Sequence, residues 1–201
     1  MTKSRLEAFS DGVIAILITI MVLEMKVPHG TDFASLRPIL PVFLSYILSF
    51  IYIGIYWNNH HHMFQVVRHV RGPVLWANLH LLFWLSLIPF VTGWMGENHF
   101  QPQPVALYGV VLFCSGGAYF VLAMLLIRAQ GENSTLKKAL GSGTKEKISM
   151  VSYAIAIGIA LFANSWVACA IYVAVALVWL VPDTRIERRI ENPETKNAAS
   201  E

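Results

Sequence analysis

Apolar and polar residues segregate along this chain into six long apolar runs separated by shorter polar stretches. The runs cover about 6–26, 37–60, 74–95, 105–127, 147–163 and 165–181. A helix of about 20 apolar residues, rising about 1.5 Å per residue, crosses the hydrocarbon core of a bilayer. Each run is therefore expected to be a membrane-spanning helix. The last two are separated only by Asn164, and 148–181 is too long for one span, so a tight helical hairpin is expected around 163–165.

The first run shows the clearest division into faces. It opens on a charged cluster (Arg5, Glu7, Asp11) and then continues from Gly12 to Leu23 with Thr19 as its one polar side chain. At about 100° per residue, Ile16, Thr19, Ile20 and Leu23 share one stripe, while Asp11 points about 140° away from Ile16. An aspartate costs about 2.5–3.5 kcal/mol at the centre of a bilayer and less near its surface, so Asp11 calls for a partner. Arg5 on the same helix and a histidine from a neighbouring helix are the candidates. The acid interrupts any signal-peptide pattern, and no small-residue cleavage site follows Leu23, so the segment reads as a retained helix.

Charge sets an orientation. With six spans, thirteen of the fifteen Lys and Arg residues fall on the side of the two termini; Lys26 and Arg37 fall on the other. Positive loops stay cytoplasmic, so both termini are expected inside the cell. The polar loop 128–146 and a charged tail, 183–201, belong to that side, and the tail is expected to fray. The span region, 1–182, forms one domain.

Composition agrees with this reading. Of 201 residues, 56% are hydrophobic and only 13% charged, against about 25% charged in soluble domains. Mean hydropathy is +0.56. A net charge of +3, dispersed along the chain, gives no basis for nucleic-acid binding. Cys114 and Cys169 lie inside apolar runs and read as small hydrophobes rather than a disulfide or metal pair.

Polar clusters inside the spans are the candidate chemistry. Trp57, Asn58, Asn59 and the histidines 60–62 close the second run. Consecutive histidines on a helix diverge by about 100° and cannot meet on one metal ion. They read either as interfacial side chains or as a hydrogen-bond network with the first helix. No metal, cofactor or catalytic group is expected, and the chain is not read as an enzyme. In the third run Pro89 removes one helical hydrogen bond and kinks the span, and the Thr92 hydroxyl can satisfy a freed carbonyl. Small residues (Gly109, Gly116, Gly117, Ala118) in the fourth run suit close helix packing.

Arg5-x-x-x-Phe9-Ser10-Asp11 at the head of an apolar helix resembles the signature of the endo-lysosomal potassium channel family. Trp57-x-Asn59-His60 and Pro89-Phe90-x-Thr92 resemble two further patterns of that family. The resemblance covers the whole membrane region. It implies an all-α fold with six transmembrane helices per chain, four chains forming a homotetramer whose first helices line a central pore. It implies that Trp57, Asn59, His60, Asn78 and His80 pack against Arg5, Ser10 or Asp11. It places the narrowest ring at Ile16, with Ile20 and Leu23 continuing the stripe and Thr19 adding a hydroxyl layer. The expected activity is potassium-selective cation conduction in a bacterial plasma membrane, with K+ as the permeant ion and the lipid bilayer as surroundings. No Thr-Val-Gly-Tyr-Gly filter is present in the chain, so an apolar constriction that gates by dewetting is the expected mechanism. A proton-coupled secondary transporter using Asp11 and neighbouring histidines is the alternative, and a membrane enzyme built on the 60–62 histidines is a weaker rival.

Overall fold

A computed structural model describes residues 2–65, 67, 70–130 and 143–180 of the chain. The charged tail, most of the 128–146 loop and Arg68 lie outside the described residues.

Among the described residues the regular structure is helical throughout. The α-helices are α1 (Lys3–Leu23), α2 (Leu40–Gln65), α3 (Gly72–Ser86), α4 (Ile88–Glu97), α5 (Pro102–Gln130), α6 (Thr144–Phe162) and α7 (Ser165–Leu180). A 3₁₀ helix, Phe33–Ile39, leads directly into α2. Asp32 caps it: the Ser35 backbone N–H and hydroxyl both donate to the Asp32 carboxylate, which holds that carboxyl below its ordinary value. Because α3 and α4 follow each other along one apolar stretch, the described residues make six helical passes. Four stretches are long and apolar enough to cross a membrane: Lys3–Leu23, Phe33–Gln65, Gly72–Glu97 and Pro102–Gln130; α7 is apolar but only 16 residues long.

Two departures from the apolar runs bear on the site. The second helix continues past His60 to Gln65, because nothing between His62 and Gln65 breaks a helix and Phe64 is completely buried. The histidines thus lie within α2 rather than at its end. The third run is two helices meeting at Leu87. Pro89 falls in the first turn of α4, where its missing N–H leaves no helical bond unmade. The Leu85 carbonyl is taken up by the Leu87 N–H.

The helices α2 and α5 hold the centre. The helix α5 packs on α3, α4, α6 and α7, and α2 packs on α1, α4 and α7. Close approach is secured at two glycines. A Cβ at Gly96 would stand 2.6 Å from the Val42 Cα, so α4 meets the backbone of α2 directly. At Gly109 a Cβ would collide with Tyr172, whose hydroxyl passes there to donate to the Val105 carbonyl at 3.2 Å. Gly116 and Gly117 leave room for a Cβ at ordinary contact distance. Cys114 and Cys169 are free and half-buried.

Buried polar groups bind the passes together, as an apolar medium requires. The Ser49 hydroxyl lies 2.6 Å from Thr92 and 3.0 Å from Tyr108, joining α2, α4 and α5. The Thr92 hydroxyl donates back to the Ile88 carbonyl of its own helix at 2.6 Å. Tyr52 on α2 donates to the Tyr172 carbonyl on α7 at 2.6 Å. Between α6 and α7 the chain reverses at Ala163 and Asn164, where the Asn164 side-chain oxygen accepts the Trp166 N–H at 2.8 Å and caps α7.

Candidate functional site

The helix α1 has two contrasting faces. Leu6, Ser10, Ile14, Leu17 and Met21 recur at three- and four-residue intervals and are buried against the bundle. The neighbours of α1 are α2, α3 and α4, which leaves it at the margin of the single chain. Its other face has no packed cover among the described residues. Ile16 is 60% exposed, Ile20 42% and Leu23 77%. Thr19 lies among them, and its hydroxyl donates to the Ala15 and Ile16 carbonyls of its own helix. Phe9, half-exposed, lies nearer the N-terminus.

The buried face is pinned by a directional chain of hydrogen bonds. Asn78 of α3 is fully buried and bridges α2 to α1. Its Nδ2 donates to the Ser10 Oγ at 2.9 Å, and the Ser10 hydroxyl donates onward to the Leu6 carbonyl at 2.9 Å. Asn78 turns its Oδ1 to His60, whose Nε2 lies 2.7 Å away. Histidine must therefore carry its proton on Nε2, since a carbonyl oxygen can only accept. The His60 ring also stacks on Phe64, with centroids 4.6 Å apart.

One residue along, Asp11 is served differently. Its Oδ1 accepts the Trp57 indole N–H at 3.1 Å. Among the described residues neither Arg5 nor a histidine is its partner. Arg5 precedes Asp11 by six residues and points about 120° away on the helix. It is exposed, without an ion pair among the described residues, where the pairs are Lys3–Glu7 and Lys26–Glu97. Lys3 also donates to the Gln65 carbonyl at 3.2 Å, tying the start of α1 to the end of α2.

Two residues expected beside the first helix turn elsewhere. The His80 Nε2 accepts the Trp84 indole N–H at 2.9 Å on the outer face of α3. It follows Asn78 by two positions, about 200° around the helix, so both cannot face α1. The Asn59 amide donates to the Ile55 carbonyl of its own helix at 2.8 Å. The three histidines diverge: His61 stacks on Trp57 and bonds Gln65, and the His62 Nδ1 is buried without a partner among the described residues. Among the described residues no group of three or more His, Cys, Asp or Glu side chains gathers around a metal position. Phe90 is exposed, whereas Pro89 and Thr92 are buried.

Sequence reasoning missed the tyrosine cluster behind this site. Tyr52, Tyr108, Tyr153 and Tyr172 are buried with ring centroids 5.7–6.5 Å apart. The signal was present: Ser45, Ser49, Tyr52 and Tyr56 recur every three or four residues along α2 and mark a polar face turned inward.

Comparison with known proteins places this geometry in context. A sequence model of the family described as "Endosomal/lysosomal potassium channel TMEM175" matches residues 5–89. A Chryseobacterium protein named as a potassium channel is 59% identical over 191 residues, covering 95% of this chain and 99% of that protein. A Streptomyces collinus protein named as a potassium channel is 34% identical over 134 residues, covering 63% of this chain and 65% of that protein. The crystal structure of a lysosomal potassium-selective channel TMEM175 homolog from Chamaesiphon minutus superposes with a TM-score of 0.76 at 25% identity, covering 90% of this chain and 97% of that one. With α1, its supporting helices and nearly the whole length of a close relative matched, this integral membrane chain belongs to the TMEM175 potassium channel family.

Proposed function

We propose that this chain is the subunit of a homotetrameric, potassium-selective cation channel of the bacterial plasma membrane, with both termini cytoplasmic and four copies of α1 around the axis. The observation that carries the reading is the uncovered stripe on α1. Its other side is fixed to α2 and α3 by the Ser10–Asn78–His60 chain and the Asp11–Trp57 bond, so Ile16, Thr19, Ile20 and Leu23 are turned away from their own bundle. One pore-lining helix per chain cannot enclose a conduit, and closed symmetry supplies the remaining walls.

In this reading Ile16 forms the constriction, and Ile20 and Leu23 continue the apolar wall. A closed ring of isoleucines excludes water, so the barrier to an ion is the hydration it would lose. Opening widens the ring and lets a partly hydrated ion cross. Potassium gives up water more readily than sodium, and Thr19 offers oxygen lone pairs to the ion because its proton is committed to its own helix. No carbonyl filter takes part. Ser10, Asp11, Trp57, His60 and Asn78 set the rotation of α1, Arg5 and Phe9 complete the first-helix signature on its more exposed side, Asn59 lies on the same turn of α2, and Pro89 with Phe90 and Thr92 forms the bend of the third pass. A proton-coupled transporter is less favoured, because Asp11 bonds an indole N–H that cannot accept a proton.

The test is single-channel recording of purified protein in a planar bilayer under potassium and sodium gradients, wild type beside Ile16→Asn. Potassium-preferring openings, with larger conductance in the variant, are expected. Identical currents in the two proteins would remove Ile16 from the pore, and gradient-coupled flux without unitary openings would favour the transporter.

A further inference from the structure

A cavity lies between α2, α5, α6 and α7. Its volume is about 40 Å³. A water-sized group needs about 10–15 Å³ on that measure, so about three such groups fit. The wall is unusually aromatic: Tyr56, Tyr119, Tyr153 and Trp179 present rings to it, and Glu146 supplies a carboxylate. The Tyr56 and Tyr119 rings meet edge to face at 6.3 Å, and Tyr119 meets Trp179 in the same manner at 6.5 Å. The Trp179 indole N–H is held by the Ser149 hydroxyl at 2.8 Å, which fixes the ring in place.

Ring faces carry negative potential and attract ammonium groups within about 6 Å. The chain itself demonstrates this here, since the Lys145 ammonium lies 4.7 Å from the Trp179 centroid. Gly116 keeps the space open. A Cβ there would point at the Tyr56 hydroxyl, Met150 and Tyr153 at 3.8–3.9 Å, so any larger side chain would occupy the cavity.

We propose that this cavity is a binding site for a small organic ammonium ion, held by the aromatic faces and paired with Glu146. The site is separate from the α1 stripe. Tyr56 and Asn59, which line it, share a helical turn with Trp57 and His60, whose side chains hold α1.

Ethylammonium, with three heavy atoms, matches the space, and ethanol is its uncharged isostere. A ligand of this size binds no tighter than about millimolar. Saturation-transfer NMR on the purified full chain in detergent, in potassium phosphate buffer, measures both. The expected result is saturable ethylammonium binding and none by ethanol. Glu146→Gln should weaken it at least tenfold, and Gly116→Leu should abolish it. Equal binding of ethanol would show a merely apolar void and overturn the proposal. So would ethylammonium binding unchanged by Glu146→Gln or by Gly116→Leu, or no binding to the wild type. The readout is binding alone, so its outcome is independent of whether the chain conducts.

Discussion

The bond between Asn78 and Ser10 makes the most exacting prediction, because it can be weighed by itself. Both side chains are fully buried, and the 2.9 Å bond is the polar link from α3 to α1. Ser10→Ala leaves the Asn78 amide without an acceptor. An interhelical hydrogen bond within a membrane contributes about 0.6 kcal/mol on average and up to about 1.7. A buried donor left unmatched costs about 1–3 kcal/mol. The single substitution should therefore destabilise the fold by about 2 kcal/mol. Asn78→Ala removes the same bond, leaves the His60 Nε2–H without its acceptor and opens a small void. About 3 kcal/mol is expected.

The double variant loses the shared bond only once. Its cost should fall short of the sum of the two singles by about 1–2 kcal/mol, well outside the few tenths expected of independent sites. The assay is reversible unfolding in mixed micelles of rising denaturing-detergent fraction, followed by tryptophan fluorescence. Protein concentration must be fixed, since assembly adds apparent stability by mass action. Strict additivity would mean that Asn78 and Ser10 do not touch, and the rotation of α1 argued from that contact would fall with it. His80→Ala serves as the reference: an exposed side chain bonded within its own helix should change stability by less than about 0.5 kcal/mol.

Four further substitutions probe other parts of the reading. Asp11→Ala deletes the acceptor of the Trp57 indole and should reduce the yield of assembled channel on size exclusion more than it alters ion ratios; intact assembly with lost selectivity would contradict this. Thr19→Ala should lower potassium preference, read as a shift in bi-ionic reversal potential, while leaving total flux; unchanged ratios would clear the hydroxyl of that role. Gly96→Ala forces a methyl toward the Val42 backbone and should cost about 1–3 kcal/mol in the same unfolding assay, whereas Gly12→Ala, with open space around it, should be close to neutral; the reverse order would refute the α2–α4 contact.

The helical membrane architecture was legible in the sequence because apolar length is a property of the chain alone. So was the requirement that Asp11 find a partner, since burial of an unmatched carboxylate is costly whatever surrounds it. The identity of the partner was not legible. A helix fixes the angles between its own side chains but not its rotation about a neighbour. Arg5, a nearby histidine and Trp57 were therefore indistinguishable until α2 was placed, and charge complementarity favoured the wrong donors. Asn78 and His80 show the limit most sharply. They lie on opposite sides of α3, so one helix rotation admits one and excludes the other, and only the packing of α3 beside α1 selects Asn78. The cavity beside Trp179 was least legible, since its wall draws on four helices. Tyr56 and Asn59 lie along α2, Gly116 and Tyr119 along α5, Glu146 and Tyr153 along α6, and each set reads by itself as ordinary interfacial or packing residues. Their chemistry emerges only when the rings face one another across a space that Gly116 leaves empty.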